Sequence, residues 1–324
     1  MSTPASPPES AVLVVRLGAM GDILHALPAV RALKLGNDGS LLFWAVERKW
    51  AALLEGNPFV DRVLFFDRTF PGLLSDLRTL RASGYRFAVD FQGLLKSALV
   101  AVAAQPETIY GFDAGLVREL GAAVFYQHRI STPALHVVER NLDLAAAAGA
   151  IRGGRPRFPL PPGRREGDLP AGDFVLASPF AGWASKQWPL AHYRALAGRL
   201  ASEFRLPLVL NGPPGATFGD IAPAIPHFSS LPGLIDATRR AAAVVGVDSG
   251  PLHLAAALEK PGVAIFGPTD PARNGPYGGS MRTVRSAAAV TTYKRGAAID
   301  ASMQSISADE IFEILRTALG RARS

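Results

Sequence analysis

Short runs of branched apolar residues recur along the chain. Longer segments separate them, in which apolar positions return every three or four residues. The first pattern fits a strand buried on both faces, and the second a helix packed against it. In the first half this predicts strands at 12–17, 41–46, 62–66, 87–91 and 108–111, with helices near 23–34, 48–54, 73–82, 94–103 and 135–148. The second half repeats the scheme, with strands at 174–178, 206–211, 244–247 and 263–266 and helices at 190–203, 231–242 and 251–258. A last helix opens on Ser307-Ala308-Asp309-Glu310, a capping-box sequence ahead of Ile311, Phe312, Ile314 and Leu315. Strands alternating with helices of this length make βαβ units and therefore parallel sheets.

Residues 152–171 interrupt the alternation with five prolines and four glycines and read as a linker. The expected organisation is a polar, disordered tail at 1–10, a Rossmann-like domain at 11–151, the linker, and a second Rossmann-like domain at 172–324. The fold class is then α/β, two doubly wound domains facing across a cleft, with the last helix able to pack back on the first domain. Ligands of open α/β sheets bind outside the carboxyl ends of the strands, which directs attention to the loops there.

Of these loops the most informative is Leu17-Gly18-Ala19-Met20-Gly21-Asp22-Ile23-Leu24-His25. A strand ends, glycines allow a tight turn and close ligand approach, and Asp22 lands in the first turn of a helix. The unpaired N–H groups there stabilise its charge. Asp22 reads either as a general base at the lip of a cleft or as a helix cap. In Val247-Asp248-Ser249-Gly250-Pro251-Leu252-His253 a second strand ends at Asp248, and Pro251 takes the first helical turn. Free N–H groups behind a Ser-Gly entry suit a phosphate or diphosphate, and His253 can donate to it; an ordinary cap with an incidental histidine is the alternative. A third loop, Gly182-Trp183-Ala184-Ser185-Lys186, offers Lys186 as a mobile positive charge. Weaker signals are Lys96 in the first turn after Asp90-Phe91-Gln92-Gly93, and His136, Glu139 and Arg140 at helical spacing.

Composition narrows the chemistry. The 324 residues are 48% apolar and 19% charged, as in a globular protein with sizeable cores. The absence of cysteine excludes disulfides, thiol catalysis and cysteine-ligated zinc, and the histidines and carboxylates lack zinc spacing. No G-x-G-x-x-G follows a strand, and neither a P-loop nor a G-x-S-x-G elbow occurs, which sets aside dehydrogenases, P-loop NTPases and serine hydrolases. A net charge of +7 favours anionic partners. The arginines are dispersed without a nucleic-acid motif, so a small anionic substrate or a lipid surface is preferred to nucleic acid. The tail lacks a basic-then-apolar leader, and no apolar run approaches the roughly 20 residues of a membrane span, so a cytoplasmic location is expected.

Together these segments resemble the ADP-heptose:lipopolysaccharide heptosyltransferases, glycosyltransferase family 9, most nearly the first type. The resemblance rests on LGAMGDILHALPAVRALK at 17–34, DFQGLLKSAL at 90–99, HVVERN at 136–141, SKQWPLAHYRALA at 185–197, VDSGPLHLAAAL at 247–258 and FGPTDP at 266–271, in the family's order. It implies a GT-B fold and an inverting, metal-independent transfer of heptose from ADP-heptose to a Kdo–lipid A type acceptor at the cytoplasmic face of the inner membrane. It further implies Asp22 as base and Lys186 at the diphosphate, with Gly182, Asp248, Ser249, Gly250 and His253 on the donor. Gly21, Arg68, Lys96, Arg118, His136 and Arg140 would meet the acceptor. The sequence departs from the family where a basic cluster is usual, having Phe65-Phe66-Asp67-Arg68-Thr69-Phe70. Ala181 and Gly182 replace a threonine pair, and Ala216 is nearest to a missing ribose-side acid. Another sugar nucleotide or acceptor, or a nucleotide-sugar epimerase, is the alternative reading.

Overall fold

The computed structural model describes residues 10–66, 80–81, 84–292 and 294–323. The expected helix at 73–82 lies, apart from Leu80 and Arg81, outside the described residues, and so does Arg68. The chain forms two compact units that divide between Pro161 and Pro162.

The first unit is built from β1 (Ala11–Val15), α1 (Met20–Gly36), β2 (Leu41–Glu47), β3 (Arg62–Phe66), β4 (Tyr85–Asp90), α2 (Leu95–Ala103), β5 (Ile109–Phe112), β6 (His128–Ile130) and α3 (Val137–Ala147). All strands pair in parallel, in the order β3-β2-β1-β4-β5-β6. Every residue of β1 is buried, as a central strand covered on both faces requires. Residues 48–54, expected to be helical, form a 3-10 helix. A buried hub closes the middle of this sheet: Asp90 accepts hydrogen bonds from the Gln92 and Gly93 N–H groups, from Ser97 Oγ and from Tyr126 OH, the last two at 2.7 Å. Tyr126 reaches it across Gly111, where a Cβ would stand 2.3 Å from the ring. Burial pushes the Asp90 pKa up, and those donors offset part of the penalty. Tyr126→Phe therefore is expected to cost about 1–3 kcal/mol, read as a lowered urea midpoint of the first unit; an unchanged midpoint would remove the bond from the account.

The second unit repeats the plan with β7 (Val175–Ser178), α4 (Leu190–Phe204), β8 (Leu208–Gly212), β9 (Ile225–Phe228), α5 (Leu231–Arg240), β10 (Ala243–Val247), α6 (Gly250–Ala257), β11 (Gly262–Phe266), β12 (Met281–Arg285) and α7 (Ala308–Arg323). Its parallel order is β12-β11-β10-β7-β8-β9, the same winding as the first unit. The apolar face of α7, through Ile311, Phe312, Leu315 and Leu319, lies in the core of this unit with Val245, Val263 and Leu200.

Residues 152–171 carry no regular structure, yet both ends are tied down. Arg152 pairs with Glu139 at 2.7 Å and with Asp143. Glu166 accepts from the Ser230 N–H at 2.7 Å and from its hydroxyl at 2.6 Å, which holds the second end at the start of α5.

Candidate active site

In each unit the strand order reverses once, between β1 and β4 and between β7 and β10. Loops leaving the carboxyl ends of such a strand pair diverge and open a crevice, the usual ligand site of a doubly wound sheet. Each unit places its charged cluster there.

In the first unit Arg16 and Gln92 stitch the crevice together. Arg16 donates through Nη1 to the Phe91 carbonyl, and Gln92 Oε1 accepts from the Leu17 N–H at 2.8 Å. Arg16 is only 2% exposed, and its Nη2 meets Asp22 Oδ1 at 2.7 Å. The same oxygen accepts from Arg118 Nη2 at 2.8 Å. Oδ2 takes the Ala19 N–H at 3.2 Å, so Asp22 caps its helix as well as pairing with two guanidiniums. Burial opposes the charge, but Arg16 and Arg118, with His25 and the Ala19 N–H, hold the carboxyl well below the usual range. Asp22 is thus an ionised carboxylate with one oxygen doubly paired and the other lightly held. Gly18 provides room beside Trp50: a Cβ there would stand 2.8 Å from Trp50 Nε1.

The other acceptor-side candidates divide. Arg118 comes to Asp22 because its own N–H is held by the Gly93 carbonyl at 3.0 Å. Gly21 lies in the same first turn of α1. Lys96 meets Glu47 at 3.2 Å rather than Asp22, and Lys49 shares that carboxylate at 3.3 Å. His136 caps α3 by accepting from the Val138 N–H at 3.1 Å and stands edge-on to His25, 5.7 Å between ring centres. Arg140 donates to the Ala134 carbonyl at 2.8 Å.

In the second unit Lys186 follows β7 in a single 3-10 turn, Ala184–Lys186, and Asp248 follows β10 directly. Their charges meet at 2.6 Å, with the Lys186 ammonium 4.3 Å from the Trp183 ring centre. Thr269 donates to Asp248 Oδ2 at 2.7 Å, and His253 Nε2 lies 3.5 Å from Oδ1. Burial raises the cost of the Asp248 charge; His253 and Lys186 outweigh it and hold the carboxyl below its usual range. Ser249 is the N-cap of α6, yet its buried hydroxyl makes no hydrogen bond and the first turn keeps free N–H groups. Gly250 is the first residue of α6, and a Cβ at Gly182 would meet nothing within 4 Å. The site therefore offers an ammonium, an imidazole, a hydroxyl and a helix N-terminus, a set that suits a diphosphate.

Arg16 and Thr269 are the two contributors that sequence reasoning missed. Thr269 stands inside FGPTDP at 266–271 and Arg16 in the strand expected at 12–17, where a charged side chain in an otherwise apolar strand is itself the signal that it must have a buried partner. Among the described residues no three His, Cys, Asp or Glu side chains cluster as metal ligands.

Two Rossmann-like domains of this winding are those of the GT-B fold. Residues 74–299 match glycosyltransferase family 9 (heptosyltransferase). The chain is 30% identical over 311 residues to lipopolysaccharide heptosyltransferase 1 of Escherichia coli strain K12, spanning 85% of this chain and 93% of the relative. It is 31% identical over 299 residues to the enzyme of that name from Pseudomonas aeruginosa PAO1, spanning 83% and 82%. The solved structure of E. coli heptosyltransferase WaaC with ADP aligns at a TM-score of 0.77 and 26% identity, covering 95% of this chain and 99% of that one. The chain belongs to glycosyltransferase family 9, the heptosyltransferases.

Proposed function

We propose that this enzyme transfers heptose from ADP-heptose to a Kdo–lipid A type acceptor of the lipopolysaccharide inner core, with Asp22 as general base. The observation that carries the reading is the ionised, positioned Asp22 carboxylate at the first unit's switch point. The acceptor hydroxyl oxygen bonds to the anomeric carbon as the bond from that carbon to the diphosphate oxygen breaks, and the hydroxyl proton passes to Asp22. ADP leaves as a stable anion and needs no proton, so one carboxylate suffices. Lys186, His253, Ser249 and the start of α6 take up the charge that grows on the leaving diphosphate. The ADP complex of the E. coli relative supports ADP as the nucleotide.

On the acceptor side Arg118 and Lys96 supply cations for anionic sugar acids or phosphates, and Gly21, Arg68, His136 and Arg140 complete the proposed contacts. The acceptor places the enzyme at the cytoplasmic face of the inner membrane as a peripheral protein; among the described residues no helix is long and apolar enough to cross a membrane. The test is an NMR assay of product anomer across ADP-heptose, UDP-sugar and GDP-sugar donors. Product of inverted configuration from ADP-heptose alone supports the reading, and transfer from another donor or retention overturns it.

The electrostatics add a pH prediction. Because the Asp22 pKa is depressed, the carboxylate stays ionised, and the base stays competent, as pH falls through the ordinary carboxylate range. Arg118→Ala removes one of the two guanidiniums that favour the charged form. Its pKa then rises toward the ordinary range, and the acid limb of the kcat profile moves to higher pH. An unmoved limb would contradict the assignment.

A further inference from the structure

Beside Arg118 the first unit exposes an apolar ridge that no neighbour covers among the described residues. On α2, Leu95, Leu99 and Val102 are 43%, 49% and 39% exposed, and their spacing sets them in one stripe. The 3-10 helix Leu120–Phe125 packs beside α2 and adds Leu120 and Val124 at 73% and 67%. The two rows adjoin, since Leu95 Cδ1 lies 3.9 Å from the place of a Gly121 Cβ. The ridge is also fastened to the candidate site. Glu119 accepts from the Leu95 N–H at 2.6 Å, and the Gly93 carbonyl accepts from the N–H groups of Arg118 and Glu119.

Cations flank this ridge. Lys96 stands at one end of α2, and at the other Arg81 donates to the Ala103 carbonyl at 3.2 Å. The triads Arg16–Asp22–Arg118 and Lys49–Glu47–Lys96 each carry one positive charge in excess. The nearby carboxylate Glu119 is held on the Leu95 N–H. Large exposed aliphatics bordered by lysine and arginine fit the boundary between headgroups and acyl chains of an anionic bilayer, where apolar side chains enter the hydrocarbon and cations meet phosphate.

We propose that this ridge docks on an anionic lipid surface and so brings a membrane-held acceptor to Asp22. The inference rests on the acceptor reading above, but its test does not need turnover. The chain is sedimented with vesicles of phosphatidylglycerol and phosphatidylethanolamine, and with vesicles of phosphatidylcholine alone. The double variant Leu99→Ser/Val124→Ser is run beside it, both sites being exposed and outside the binding machinery. The expected result is partition onto the anionic vesicles that the variant weakens by at least about tenfold. Its melting temperature is unchanged, and its rate on acceptor freed of its acyl chains is that of the parent. Equal binding by parent and variant, or no binding by the parent, overturns the proposal. So does a parent dimer that the variant dissolves with vesicle binding intact, for then the ridge holds a second copy of the chain. Loss of vesicle binding with no heptose transfer under any condition leaves the docking surface standing and removes only the functional reading.

Discussion

Asp22→Asn is expected to lower kcat by about 10³-fold or more while ADP binds within about threefold of the parent. The amide keeps the shape of the carboxylate, and its oxygen can still face Arg16 and Arg118 at the position of Oδ1. What it loses is the charge and the capacity to accept a proton at the other position. An NH2 group there would also point a donor at the Ala19 N–H, which now lies 3.2 Å from Oδ2. Arg16, nearly fully buried, would keep the Phe91 carbonyl but lose its counter-charge, so some loss of stability accompanies the loss of rate. ADP affinity, measured by calorimetry, separates the two: a variant that binds ADP normally and fails to turn over has lost chemistry. A variant within tenfold of the parent rate removes Asp22 from the role of base.

Lys186→Ala should lower kcat/KM by about 10²–10³-fold, with both donor affinity and kcat reduced. The ammonium stands 2.6 Å from Asp248, so a diphosphate can draw it away only by offering more charge than one carboxylate. Two phosphates meet that condition, and the charge that builds on the leaving oxygen strengthens the pull in the transition state. Lys186→Ala also strips the buried Asp248 of its nearest cation, leaving His253 and Thr269 to support it. Lys186→Arg controls for this: it keeps the charge, so a partial recovery of affinity with kcat still low assigns the defect to placement of the cation. Unchanged kinetics in Lys186→Ala would leave Lys186 only the structural partner of Asp248.

The central strands of both sheets were legible because burial on two faces leaves apolar runs, as at β1, β7 and β10. The strands that escaped sequence reading were β6, β9 and β12, and each is a sheet edge. Their sequences, HRI, IPHF and MRTVR, are half-exposed and carry no such run, and a proline in β9 is tolerated only because that strand has one neighbour. The loops bearing Asp22, Lys186 and Asp248 were legible for the converse reason, since each follows a central strand whose end is plain. What no spacing announced was the partnership between distant residues. Arg16 finds Phe91 and Asp22, Arg118 crosses to Asp22, and Thr269 supports Asp248 only once the loops are folded together. The two readings of Asp22, cap or base, proved compatible, because its two oxygens face different partners. His136 caps α3 and Arg140 ties down the Ala134 carbonyl ahead of that helix, local bonds that helical spacing could not distinguish from ligand binding.

ADP release from ADP-heptose, followed with and without a Kdo–lipid A acceptor for the parent and for Asp22→Asn, tests the account most directly. Release that requires the acceptor and disappears in the variant is the predicted result. Release that ignores the acceptor, or that Asp22→Asn retains, would contradict an acceptor hydroxyl deprotonated by Asp22.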